Sequence, residues 1–298
     1  MNTIGKSDLK VSAISFGCMS LGENQTQTDM LLHKAYDQGI NFFDTADLYD
    51  KGMNEVHVGT ALKSIRQQVV IATKVGNQWR PDGSGWDWNP SKEYILKSVE
   101  QSLRRLQTDY IDLYQLHGGT IDDPIDETIA AFEQLKEQGK IRWYGISSIR
   151  PNVIREYVNK SNIVSVMMQY SLLDHRPEEE ILALLDKHQI SVITRGAVAQ
   201  GRLLGKKEGS YLQFTSSEVT KAAKSISKLA EDLDKQKIDV ALAYVLNQPA
   251  VASAVTGIRT AEQLDEAIKA LKEWPQLTAG QLKELRQQVR TFTYDAHR

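Results

Sequence analysis

The chain has 298 residues, 41% of them hydrophobic and 25% charged, with a net charge of −2. This is a globular composition without the basic excess that would attract nucleic acid, and no apolar run nears the ~20 residues that cross a bilayer. The opening MNTIGKSDLK lacks the apolar core of a signal peptide, so a cytoplasmic, soluble protein is expected.

In chain order, short apolar runs alternate with longer amphipathic ones. Strands are expected over 11–17, 40–46, 69–75, 110–117, 141–147, 163–170, 190–196 and 250–257. Between them, 91–106 reads as a helix capped by Ser91, with Ile95, Val99, Leu103 and Leu106 in one stripe. A second helix, 126–138, is expected to be capped by Asp126, to turn Ile129, Phe132 and Leu135 inward and to stop at Gly139. Met167 and Met168 should point to opposite faces of their strand, and Glu178, Glu179 and Glu180 read as the first turn of a helix. Residues 198–216 form a long loop between strand seven and its helix, and 279–291 adds a C-terminal helix. Eight strand–helix pairs predict one α/β domain, 1–298: a (β/α)8 TIM barrel with its site at the C-terminal strand ends.

Strand two ends in Asp44, with Tyr49 just beyond; strand three ends in Lys74 and strand four in His117. An ammonium beside a phenol favours the phenolate, and a carboxylate keeps that ammonium charged. Such a set can protonate a carbonyl oxygen while another group attacks the carbon. Asp47, in the same DTADLY stretch, is expected to be solvated or to cap the turn. The single cysteine, Cys18, allows no intramolecular disulfide and has no activating partner. The six histidines include no pair at ligand spacing, so no metal is expected.

FDTADLY, IATKVG, SVEQSLRRLQTDYIDLYQLH and GKIRWYGISS resemble, in order, motifs of the aldo-keto reductase superfamily, in the bacterial branch like potassium-channel β subunits. The likeness runs from about residue 4 to about residue 270. It implies NADPH-dependent reduction of small aldehydes or ketones, with Asp44, Tyr49, Lys74 and His117 as a catalytic tetrad and Tyr49 as general acid. It also implies that Ser147, Ser148 and Gln169 hold the nicotinamide carboxamide, Ser148 standing where an asparagine is usual. Arg195 takes the place of an aromatic ring that stacks on the nicotinamide, which a planar guanidinium can also do. Gly196, Val198, Gly201 and Leu203 would offer backbone amides to the pyrophosphate.

In the last motif, TGIRTAEQLDEAI, Gly257 permits close approach, Arg259 and Gln263 match 2′-phosphate contacts, and Glu266 matches a position near the adenine amine; Ala267 replaces a frequent asparagine. A guanidinium matched to phosphate favours NADPH (NADP+) over NADH. Met19 and Trp79 are expected to wall the substrate pocket, and a monomer is expected. Two other readings use the same residues: a Schiff-base aldolase with Lys74 as nucleophile, and a dinucleotide-binding regulatory or redox-sensing protein with little turnover. Pocket-wall loops leave the substrate's identity open.

Overall fold

The computed structural model describes residues 1–298. All eight expected strands form: β1 (Ile14–Gly17), β2 (Phe42–Asp44), β3 (Val70–Val75), β4 (Ile111–Leu116), β5 (Ile141–Ser147), β6 (Ser165–Gln169), β7 (Ser191–Arg195) and β8 (Val251–Gly257). Each lies parallel to its sequence neighbour, and β8 closes the barrel on β1 through Ala254↔Ile14 to Gly257↔Gly17. A hairpin of Asn2–Thr3 and Lys10–Val11 brings Ile4, Leu9 and Val11 into the cluster that fills the barrel interior.

The helices are α1 (Gln25–Asp37), α2 (Met53–Leu62), α3 (Lys92–Leu106), α4 (Ile125–Glu137), α5 (Pro151–Lys160), α6 (Ile181–Lys187), α7 (Ser216–Asp232), α8 (Lys237–Leu246), α9 (Ala261–Glu273) and α10 (Ala279–Gln287). No helix is long and apolar enough to cross a membrane. In α3 the Ser91 side chain accepts from the Tyr94 amide, and Ile95, Val99, Leu103 and Leu106 are buried. In α4, by contrast, Pro124 occupies the cap position and Asp126 lies exposed in the first turn, its carboxylate 3.4 Å from Lys160. The segment after β7 contains a 3-10 turn (Ala199–Leu204) and then two helices rather than one, α8 being the one that packs on β8.

Two apolar clusters divide the strand pleat. The larger joins the outer strand faces to the helices; the smaller lies inside the barrel and takes Phe42, Val70, Ala72, Leu113, Met167 and Ile193. Met167 therefore faces in and Met168 out, as period-two alternation requires. That alternation also decides which polar residues can reach the barrel mouth.

Helices α2 and α3 meet closely at Gly59, where an added Cβ would stand 2.5 Å from Leu106 Cα and 2.6 Å from the Arg105 carbonyl oxygen. Backbone atoms cannot yield as a side-chain tip can. Gly59→Ala is therefore expected to cost about 1–3 kcal/mol, read from the shift in the urea midpoint. An unchanged midpoint would show that the two helices separate freely.

Candidate active site

Continuing the inward face of each strand by two residues gives the site. Phe42 leads to Asp44, Val70 and Ala72 to Lys74, Leu113 and Gln115 to His117, Met167 to Gln169, and Ile193 to Arg195. Neighbouring strands thus end their inward faces in polar groups around one opening. Tyr49 reaches the same opening from the turn after β2, where Asp50, Lys51 and Gly52 take left-handed backbone angles before α2 begins.

Lys74 is 1% exposed, and its ammonium has three acceptors: Asp44 Oδ2 at 2.7 Å, the Thr45 carbonyl at 2.8 Å and the Tyr49 hydroxyl at 3.3 Å. Every proton on Nζ is engaged. The Tyr49 ring meets His117 edge-on, with centroids 5.9 Å apart at 84°. All four residues except Asp44 line a cavity of about 540 Å³, which Met19, Ser147, Ser148, Met167 and Arg195 also face.

Burial and charge set the protonation states. Burial pushes Asp44 up from the ordinary carboxylate range, against the pull of Lys74. For Lys74, burial acts downward, yet Asp44 and Tyr49 more than offset it and the net shift is upward. A nucleophilic amine must be unprotonated, so this lysine is badly placed for a Schiff base. Burial, helped by Lys74 and Arg195, lowers His117 to about 3, which keeps its imidazole neutral. The Cys18 thiol is buried and pushed well up by desolvation and the Asp44 charge, so it is no nucleophile.

A second cavity, also about 540 Å³, adjoins the first, and Met19, 63% exposed, lines both. It runs past Gly196, Val198 and Gly201 to Gly257, Arg259, Gln263 and Glu266. The Arg259 guanidinium has no carboxylate within ion-pair distance, whereas Glu266 is held by Lys206 at 2.9 Å. Gln263 Oε1 accepts from the Arg259 amide at 3.0 Å. In the first cavity, Ser148 Oγ accepts from the Arg150 amide; Gln169, which lines neither cavity, bridges Arg195 and Asp174 through its two amide atoms. An elongated cleft with an unpaired guanidinium and lysines at one end fits an anionic dinucleotide.

Several expected placements differ. Leu203 is 1% exposed in the core, and Leu204 faces the second cavity instead. The amides of Gly201 and Leu203 both donate to the Val198 carbonyl, so neither is free for a phosphate. Trp79 does not wall the cavity at Tyr49. It lies in a hairpin (Asn77–Trp79 with Trp86–Trp88), donates to the Leu48 carbonyl at 3.2 Å and faces a separate cavity with Asp47 and Arg105. Asp47 is neither solvated nor a cap: it is 8% exposed, its Oδ1 lacks a partner, and desolvation, reinforced by Glu55, pushes its carboxyl well up. Glu178 and Glu179 do lie in the first turn of a short 3-10 helix (Arg176–Glu179), with Glu180 at the cap of α6, but their carboxylates are engaged in tertiary contacts. Glu178 accepts from Tyr170, Tyr244 and Arg286, and Glu179 from the Tyr294 amide and Arg298.

Sequence reasoning missed Arg150, Lys206, Lys207 and the tail residues Tyr294 to His297, all of which line one of the two cavities. Arg150 carried a signal, being the first charged residue after β5. The tail carried none, since nothing in its composition says where it docks.

The family model described as "Aldo/keto reductase family" matches residues 13–290. The uncharacterized oxidoreductase YqkF of Bacillus subtilis (strain 168) is 52% identical, covering 99% of this chain and 98% of its own. The NADH-specific methylglyoxal reductase of Escherichia coli (strain K12) is 32% identical, over 90% of this chain and 92% of its own. The solved holo structure of aldo-keto reductase AKR11C1 from Bacillus halodurans superposes with a TM-score of 0.92 at 49% identity, covering 99% and 98% of the two chains.

Two predictions follow from the buried titratable groups. An imidazole at about 3 in the fold and 6.5 when free lets the unfolded chain take up protons first, so stability falls as pH drops from 6.5 toward 3. His117 alone should remove about 2 kcal/mol by pH 5, and His117→Asn should shrink the loss between pH 7 and pH 5 by that amount in urea unfolding. Equal losses in both proteins would place the histidine in water. For Asp47 the sign is opposite: a raised carboxyl costs stability as pH rises above its ordinary value of 3.8. Asp47→Asn should therefore stabilise the protein at pH 8, the gain vanishing near pH 4. A loss at pH 8 would mean that Arg105 needs the charge.

Proposed function

Because this chain belongs to the aldo/keto reductase family, whose general activity is NAD(P)H-dependent carbonyl reduction, we propose that it reduces aldehydes or ketones with NADPH and that Tyr49 is the proton donor. The observation that carries this reading is the buried Lys74 ammonium, which donates to the Tyr49 hydroxyl at the floor of an open cavity.

Asp44 fixes Lys74 and balances its charge in a site where a lone ammonium would be costly. The third proton of Lys74 stabilises the negative charge that grows on Tyr49 Oη as its proton passes to the substrate oxygen. His117, neutral, can hydrogen-bond that same oxygen and fix its direction relative to Tyr49. NADPH, when bound, supplies the hydride to the carbonyl carbon. Ser147, Ser148 and Gln169 would hold the carboxamide, with Gln169 fixed in turn by Asp174 and Arg195. Arg195, the in-register strand partner of Gln169, would lie against the ring. Gly196 and Val198 would face the pyrophosphate, joined by Lys207, while Gly257, Arg259, Gln263 and Glu266 would surround the adenosine end.

The preference for NADPH rests on Arg259, whose guanidinium is free for a 2′-phosphate. A relative 32% identical is an NADH-specific reductase, so the choice between the two cofactors is left to measurement.

Two measurements test the proposal. With a panel of aldehydes, Tyr49→Phe is expected to lower kcat by about 10²–10⁴ while the affinity for NADPH stays, as loss of a general acid implies. Retained turnover would move the proton donor elsewhere. In the intact enzyme kcat/KM should favour NADPH over NADH, and Arg259→Ala should cut that ratio by about tenfold or more. Equal use of the two cofactors by the unmodified enzyme would refute the cofactor assignment.

A further inference from the structure

Three guanidiniums border the cavity above Tyr49, and they are not equivalent. Arg176 is spent: it donates to both oxygens of Asp174 at 2.7 and 2.8 Å and lies over the rings of Phe292 and Tyr294. Arg195 also takes part in no ion pair, but it is exposed, donates to Gln169 Oε1 at 3.1 Å and is assigned to the nicotinamide ring. Arg150, at the N-cap of α5, is half-buried; its Nη1 donates to the Gly119 carbonyl, and it takes part in no ion pair. Four of its five N–H donors therefore have no protein acceptor.

The other charges in the cavity leave this guanidinium uncompensated. Lys74 is balanced by Asp44. The one carboxylate on the rim, Asp295, is exposed and accepts from Gln213 Nε2 at 3.2 Å. His297, beside it, fixes the wall near Arg150 by accepting the Asn152 amide proton at 2.9 Å through its backbone carbonyl. A guanidinium partly withdrawn from water and lacking a counter-charge is stabilised by any planar or tetrahedral anion that reaches its fork.

We propose that the carbonyl substrate carries a second, anionic group, a carboxylate or a phosphate, and that Arg150 binds it. This inference rests on the reductase reading and narrows its substrate class. Arg150 thereby sets specificity, while the chemistry stays with Tyr49.

The test compares kcat/KM, with NADPH, for 4-oxobutanoate against its methyl ester and for glyceraldehyde 3-phosphate against glyceraldehyde. At least one charged member should exceed its neutral mate by about tenfold or more. That ratio should fall toward unity in Arg150→Met, and Arg150→Lys should keep part of it, since the charge remains but the fork is lost. Adding 0.5 M NaCl to the unmodified enzyme should lower the same ratio, a readout that needs no variant to fold. Ratios near one for both pairs, or a preference that survives Arg150→Met, would overturn the inference while leaving reduction of neutral aldehydes in place. No turnover of any aldehyde would remove the reductase reading, and this inference with it.

Discussion

A single ammonium inside the barrel mouth sets the terms for everything around it. Lys74 is 1% exposed, and a charge so withdrawn from water is tolerable only when its protons are all received. The acceptors come from three places: the carboxylate that ends β2, the carbonyl of Thr45 just beyond it, and the Tyr49 phenol. Barrel closure makes this possible, because β2 and β3 pair in register with Asp44 opposite Ala72, two residues before Lys74. Moving either strand by one residue would turn its polar group into the helix layer.

The outward neighbour of Lys74 plays a matching part on the other face. Thr73 donates to Glu55 Oε1 at 2.5 Å, and Glu55 also takes Ser102 at 3.2 Å and Arg105 at 2.6 Å. Successive residues of β3 thus anchor two charge clusters, one inside the barrel and one between β3, α2 and α3. The DTADLY segment lies between them: Asp44 and Tyr49 turn toward Lys74, while Asp47 is repelled by Glu55 and drawn by Arg105. Chemistry and scaffold are therefore joined at one strand, and a change on either face should be felt by the other.

The barrel and its inward-facing strand ends were legible because period-two alternation is a property of sequence. Phe42 and Asp44, or Val70 and Lys74, share a face whatever surrounds them. Asp47 was not legible, since its burial depends on α2 and α3 closing over the turn. Leu203 failed for a different reason. Ala199, Gln200 and Gly201 all take left-handed backbone angles, and this resets which side chains point outward, so Leu203 turns in and Leu204 out. Trp79 was displaced by a hairpin whose Trp88 packs over Gly76, where an added Cβ would come within 2.6 Å of the ring. The docking of α10 on Glu178 and of the tail on Glu179 depends on contacts more than a hundred residues apart, which no local pattern records.

The saturation of Lys74 also governs how the site is recharged. Its ammonium is only 1% exposed and all its protons are engaged, so in the proposed reaction it steadies Tyr49 without being able to refill it from bulk water. In the proposed reaction, a proton lost from the phenol comes back from the cavity side, through the space the product has to leave. Restoring the donor and clearing the product then share one exit, and the enzyme is ready for another cycle only when its mouth has been wetted again.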